Sequence, residues 1–224
     1  KIRRVEVATG AVTTLAGSGT DGSGSADGVG GTAQFYYPSG GVISRDGSAL
    51  FVSDFCNHKI RRVEVATGAV TTVAGSGTMG SADGVGGAAQ FKYPSDIALS
   101  SDGSALFVVD FYNHKIRRVE VATGAVTTVA GSGTMGSADG VGGAAQFHRP
   151  YSAAVSTDGS TLLVSSDDSL RQGMVTFIVG DDEERIEHVT KAILCIRSVF
   201  FRTMFGIGMK ERDAAEVTVS NTDL

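Results

Sequence analysis

The 224 residues carry a formal net charge of −5 and 42% hydrophobic side chains, which describes a globular chain with room for one large or two small domains and excludes a disordered tail. The negative balance argues against a general nucleic-acid binder, whose phosphate contacts need a basic surface. With 31 glycines against 3 prolines and no tryptophan, the composition predicts many tight turns between short strands.

Only Cys56 and Cys195 are present, far apart, so neither a disulfide framework nor a paired-cysteine zinc spacing is written into the chain. This cysteine usage fits a reducing compartment, cytoplasm or nucleus. No apolar run approaches the roughly 18 residues a membrane span needs, and the N-terminus lacks a charged-then-apolar signal layout. The sequence opens on Lys1 in the middle of a repeat, and reads as a piece of a longer protein.

The repeat organises everything up to about residue 170. Residues 59–91, "KIRRVEVATGAVTTVAGSGTMGSADGVGGAAQF", return letter for letter at 115–147, a stretch of 33 residues with a period of 56. Residues 1–58 form the same unit with two extra residues in "TDGSGSADG". Self-similarity at a period near 50 marks a solenoid or a propeller. Four short apolar stretches per unit, "SDIALS", "SALFVVD", "KIRRVEVA" and "AVTTVAG", are separated by Asp-Gly and Thr-Gly turns and predict four strands. A four-stranded antiparallel sheet repeated radially is a β-propeller blade.

Residues 93–131, "YPSDIALSSDGSALFVVDFYNHKIRRVEVATGAVTTVAG", resemble an NHL repeat, whose wording runs Pro, a small-apolar strand, Asp-Gly, an apolar strand ending in Asp, then Asn-His-Lys/Arg-Ile. Copies at 38–60 and 94–116 match throughout. The copy from Pro150 keeps Asp158-Gly159 and then decays to "VSSDDSLRQG". The resemblance implies a mostly β fold, here an incomplete NHL-type β-propeller over residues 1–170 of about three units. One chain holds too few blades for a ring, since propellers close with about four to eight. Either blades are missing upstream, or two chains complete a ring together, or the structure is an open arc, and the start in mid-repeat favours the first.

Each unit repeats a polar group: Asp54, Asn57 and His58, then Asp110, Asn113 and His114. A metal site needs several ligands converging on one point, and each unit offers one Asp and one His. A group present in every unit reads instead as a builder of the unit, with Asp54 and Asp110 accepting backbone hydrogen bonds in the turn between strands two and three. Asn57 and Asn113 would take turn-compatible backbone angles, and His58 and His114 would pack at the blade edge. In the following strand Ile60, Arg62 and Glu64 share one face, and Arg61, Val63 and Val65 the other. Stacked Arg61 and Arg117 could follow a phosphate backbone, as some NHL propellers resemble RNA binders. No aromatic platform interleaves with the run, so paired structural arginines are the reading preferred. The loop "SGTMGSADGVGGAAQF" holds a single acid, Asp83 or Asp139, which is thin for calcium, and reads as a blade-to-blade connection. Near-identical units supply few unlike residues for an active site. No catalytic, cofactor-binding or metal residue is therefore singled out, and the chain is expected not to be an enzyme.

After Gln172 the composition changes. Residues 175–177, "VTF", an apolar periodicity through Ile193, Ile196 and Phe205, and "SVFFRTMF" at 198–205 predict strand, hairpin, two helices and a strand. In this wording residues 171–224 resemble the first half of an α/β BTB/POZ domain, truncated before its later helices. Met174 stands where that family has Asp, and "EHVTKAIL" carries one residue too many. The resemblance implies homodimerisation through the first strand and helix, with Val175, Phe177, Ile193 and Ile196 as candidates. It also implies docking onto a cullin-type ubiquitin-ligase scaffold through Phe205 and the apolar-x-Glu triplet Met209-Lys210-Glu211. The reading is a protein-binding adaptor. Its alternatives are an RNA-binding propeller and a metal-dependent propeller lyase or hydrolase.

Overall fold

The computed structural model describes residues 1–18 and 23–167, and residues 1–165 form one compact unit. The second-segment residues Met174, Val175, Phe177, Ile193, Ile196, Phe205, Met209 and Glu211 lie outside the described residues. Among the described residues, no helix is long and apolar enough to cross a membrane.

The unit is built of antiparallel sheets in chain order. A two-stranded sheet, β1 (Ile2–Val5) and β2 (Val12–Ala16), comes first. A whole blade follows, from β3 (Gly28–Val29), β4 (Pro38–Ile43), β5 (Ala49–Asp54), β6 (Lys59–Glu64) and β7 (Ala69–Ala74). The second whole blade uses β8 (Gly84–Val85), β9 (Pro94–Leu99), β10 (Ala105–Asp110), β11 (Lys115–Glu120) and β12 (Ala125–Ala130). A two-stranded sheet of β13 (Ser152–Val155) and β14 (Leu162–Ser165) ends it.

The four strands expected per blade form where their apolar runs lie, but each whole blade has five. Their order is β3-β7-β6-β5-β4 and β8-β12-β11-β10-β9, so a two-residue strand of the Gly-rich connection lies along the outermost strand. Gly84 and Val85 face Val126 and Ala125 in register. An outer strand would otherwise offer unpaired N–H and C=O groups to any passing chain, and this short fifth strand covers part of that edge.

Blades bury both faces, so their inner strands read as continuous apolar runs rather than clean alternation. Phe51 and Ile60 of the first whole blade pack with Phe91, Leu106, Val108 and Val119. Ala16, Phe35, Val52 and Val63 fill the core between the first half-blade and the first whole blade. Ala98, Val109 and Ile116 do the same toward the last half-blade. Hairpin turns complete the contact: Gly68, at φ +71°, places its Cα where a methyl would run into the carbonyl oxygen of Leu15. The Thr-Gly turn therefore serves both a left-handed backbone and the close approach of the neighbouring sheet.

Candidate functional site

The repeated polar group sits at the end of each sheet where the innermost strand begins and the second ends. Asp54 and Asp110 are fully buried at the last position of β5 and β10. Arg61 and Arg117 point into the same place, also fully buried, because they share a strand face with Val52 and Val108 opposite them. Arg61 Nη1 donates to Asp54 Oδ2 at 2.6 Å and to the Gln34 carbonyl at 3.1 Å, while Nη2 donates to Asp27 Oδ1 at 2.7 Å and to the Ala26 carbonyl at 3.0 Å. Arg117 makes the same four bonds with Asp110, Gln90, Asp83 and Ala82. Each guanidinium also lies over a phenylalanine ring, Phe35 at 5.2 Å and Phe91 at 5.4 Å. Only the planar fork of arginine satisfies two carboxylates and two carbonyls at once.

This geometry rules out a phosphate-tracking stripe of Arg61 and Arg117, since neither side chain reaches solvent. The acid of the connecting loop has a use that its sequence did not disclose: Asp27 and Asp83 close the ion pairs from outside. Partial burial pushes the Asp83 carboxyl up, but the Arg117 guanidinium and the Thr128 hydroxyl hold it below its ordinary value. Arg62 and Glu64 pair on the opposite strand face, as the alternation predicts.

Asp54 and Asp110 do accept backbone hydrogen bonds, but not from the turn that follows them. Their donors are the Tyr36 amide at 2.8 Å and the Lys92 amide at 2.7 Å, each 18 residues earlier in the chain. Burial pushes both carboxyls up, opposed by Asn57 or Asn113, by that amide and by the arginine. Asn57 and Asn113 lie in a short 3₁₀ turn and donate to the aspartate at 2.8 Å. The residues with left-handed backbone are instead His58 and His114, at φ +56° and +53°. Histidine is among the few non-glycine types that take this conformation readily. Their Nδ1 atoms accept the amides of Tyr93 and Arg149 at 3.1 Å, so each histidine ties its blade to the next. Burial holds both imidazoles below the usual histidine range; for His114 the positive charges of His148, Arg149 and Lys92 add to it.

What these anchors hold is a surface. Two segments run together at this end of both whole blades: the 3₁₀ turn after the aspartate and the pair of residues before the proline. They are joined by the Cys56 and Tyr112 amides, which donate to the Tyr36 and Lys92 carbonyls at 3.1 Å. Their side chains form a ridge of rings across the junction between the two whole blades. Tyr93 lies 4.5 Å from His58, 5.0 Å from Phe55 and 5.2 Å from Tyr112, and Tyr112 lies 4.7 Å from Phe111. Lys92 and Arg149 stand over the Tyr112 ring at 6.0 and 5.7 Å. Tyr36, Tyr37 and Tyr112 are exposed. The pre-proline residues Tyr37, Tyr93 and Arg149 all have φ near +50°, an uncommon conformation for such side chains. The same strain at the same place in three copies fits a segment held by its surroundings for a purpose.

Sequence reasoning found no aromatic platform because it looked along the Lys-Ile-Arg-Arg strand. The platform comes from residues 36–37, 55–56, 92–93 and 111–112, distant in sequence and adjacent in space. One signal was available. The copies are identical over 59–91 and 115–147, whereas the ridge reads Tyr36-Tyr37, Lys92-Tyr93 and His148-Arg149, and Cys56 against Tyr112. The copies also differ within the strands, where Gly41 and Ser53 stand against the buried Ile97 and Val109, so the ridge is not the only place where they vary. Among the described residues, no three His, Cys, Asp or Glu side chains come together as a metal site.

No family model matches the chain. The chain is 32% identical over 132 residues to NHL repeat-containing protein 2 of Bos taurus, covering 56% of this chain and 18% of that protein. To the chloroplastic protein SUPPRESSOR OF QUENCHING 1 of Arabidopsis thaliana it is 29% identical over 161 residues, 68% of this chain and 15% of that one. The chain thus spans less than a fifth of the length of these relatives. Among solved structures, an auxiliary nutrient binding protein from Bacteroides thetaiotaomicron superposes with a TM-score of 0.58 at 21% identity, covering 72% of this chain and 39% of that one. A protein of the same description from Bacteroides ovatus gives 0.55 at 23% identity, over 72% of this chain and 39% of its own. Blade geometry and relatives agree that the described residues are blades of an NHL-type β-propeller.

Proposed function

We propose that the chain is a protein-binding scaffold whose propeller captures a partner on the aromatic ridge and performs no chemistry of its own. The observation that carries this reading is the exposed ridge of rings across the junction of the two whole blades. Its residues Tyr36, Lys92, Cys56, Tyr112 and Arg149 vary between copies, as do strand positions such as Gly41 and Ile97 or the buried Ser53 and Val109. Exposed tyrosines flanked by cations supply rigid, amphipathic contact area of the kind interfaces favour. The second segment would then recruit a cullin-type ligase scaffold through Phe205, Met209 and Glu211, or self-associate through Val175, Phe177, Ile193 and Ile196; this part rests on the BTB/POZ resemblance alone. The site of action proposed is the cytoplasm or nucleus.

Two variants of the full chain test the two ends separately. Replacing Tyr36, Tyr37 and Tyr112 by serine abolishes capture by the propeller and leaves cullin co-purification intact, whereas Glu211→Lys does the reverse. Capture that survives the ridge variant contradicts the propeller reading, and cullin recovery that is equal for wild type and Glu211→Lys, or absent from both, contradicts the ligase reading.

A second reading is favoured by Lys92 and Arg149 over the Tyr112 ring, since stacked bases and a cationic rim suit single-stranded RNA. It predicts binding of an RNA oligonucleotide that weakens steeply with salt and is lost on Lys92→Glu with Arg149→Glu.

A further inference from the structure

Cations along the strands of the blades are neutralised where they stand. Arg4, Arg62 and Arg118 pair with Glu6, Glu64 and Glu120 two residues on. Arg61 and Arg117 are each enclosed by two aspartates. Lys92 and Arg149 on the ridge differ: among the described residues neither forms an ion pair with a carboxylate, and both border the one ring of Tyr112. The charges of both, and of His148, bear on His114, and the two histidine rings are 6.4 Å apart. Four basic side chains therefore converge around Tyr112 and His114, on a chain whose net charge is −5. The acids of the whole blades cannot neutralise them, since Asp54 and Asp110 are buried against arginine and Asp27 and Asp83 are held by the same arginines from outside. Taking the ridge as a protein-binding surface, we propose that the segment it captures is acidic: an extended stretch of a partner protein with carboxylates at alternate positions, received by Lys92 and Arg149 around the Tyr112 ring.

Position along the ridge fixes where such a segment docks. The pre-proline pairs run Tyr36-Tyr37, Lys92-Tyr93 and His148-Arg149, so basic character rises along the chain and centres on the far side of the second whole blade. Lys92 is half-buried, and its ammonium stands against a ring rather than in open water, which strengthens its attraction for an incoming carboxylate. The exposed guanidinium of Arg149 can take a carboxylate through two parallel N–H donors. Side chains on one side of an extended peptide recur about every 7 Å, so two acids spaced in this way suit two cations that border a single ring. Nucleobases would find poorer footing. Tyr93 meets Tyr112 at 70° and Phe111 meets it at 89°, so ring edges stand against ring faces, and the successive open faces on which bases stack are not offered along these three residues.

The test is fluorescence anisotropy of the full chain with a labelled peptide, Gly-Ser-Glu-Leu-Glu-Leu-Glu-Ser-Gly. Saturable binding is expected, weaker by at least about tenfold when glutamine replaces the glutamates or when the protein carries Lys92→Glu with Arg149→Glu. The charge-reversed variant should in turn bind the peptide that has lysine for glutamate, a gain that only a folded ridge can give. Failure of the glutamate peptide to bind, equal binding of the glutamine peptide, or indifference to charge reversal overturns the proposal and leaves the ridge as a surface for a partner of other chemistry. A labelled oligouridine that binds more tightly than the glutamate peptide overturns it in favour of RNA. Glutamate-peptide binding that is unchanged by Tyr112→Ser contradicts the ridge reading itself, and the proposal falls with it.

Discussion

Asp54 and Arg61 form the joint on which each blade turns, and a buried ion pair of this kind is unforgiving when halved. Removing one partner leaves a desolvated charge that costs about 3–5 kcal/mol, whereas the pair itself contributes far less. Asp110→Ala is therefore expected to lower the urea-unfolding free energy by about 3–5 kcal/mol, and an Asp110→Ala, Arg117→Met double variant by clearly less than the sum of the two single changes. The histidines titrate in a definite sense. Because their folded values lie below the ordinary histidine value of 6.5, their contribution is complete above that pH and is lost as the pH falls through the lowered value. Wild type should lose stability on acidification from pH 6.5, and His58→Asn with His114→Asn, which keeps a residue tolerant of left-handed backbone, should flatten that slope. A separate acid limb belongs to the Asp-Gly turns. Asp46 and Asp158 are lowered from 3.8 to about 2, by Ser44 or Ser156 first and then by the following serine. Their stabilisation is present above pH 3.8 and disappears toward pH 2, so Asp46→Asn, Asp158→Asn differs from wild type at neutral pH and converges with it near pH 2.

The elements show how much could be read from the chain and why some could not. Strands β9 to β12 formed where "SDIALS", "SALFVVD", "KIRRVEVA" and "AVTTVAG" place them, since alternation, β-branched content and Gly turns all agree there. Gly84-Val85 was missed as a strand because two residues carry no periodicity, and their pairing partner lies some 40 residues on. Asp83 read only as the single acid of a blade-to-blade connection for the same reason: its arginine is 34 residues away. Asn57 was expected to carry the turn and His58 carries it, a distinction local propensity does not make, because the Tyr93 amide from the next blade selects it. Asp83→Ala is expected to cost about 1–2 kcal/mol, by leaving one Nη2 proton of Arg117 without an acceptor and loosening the strand over β12. Light scattering should then show association at concentrations where wild type stays dispersed, through the uncovered edge.

For the whole molecule, the repetition that made the fold legible also hid the site. Verbatim copies direct attention to Asp-x-x-Asn-His, which recurs because it positions backbone: Asp110 holds Lys92 in its own blade, and His58 holds Tyr93 in the next. The binding capacity we propose lies in the exposed ridge side chains that this shared frame presents, Tyr36, Tyr37 and Tyr112 among them. The central claim is that the ridge meets a protein, and site-specific photo-crosslinking in the full chain tests it most directly. With a photoreactive residue at Tyr112, protease-sensitive and nuclease-resistant adducts should form, and these should be missing when the same residue stands at Val129, exposed on the outer strand. Adducts that appear equally at Val129, or that nuclease removes, would contradict it.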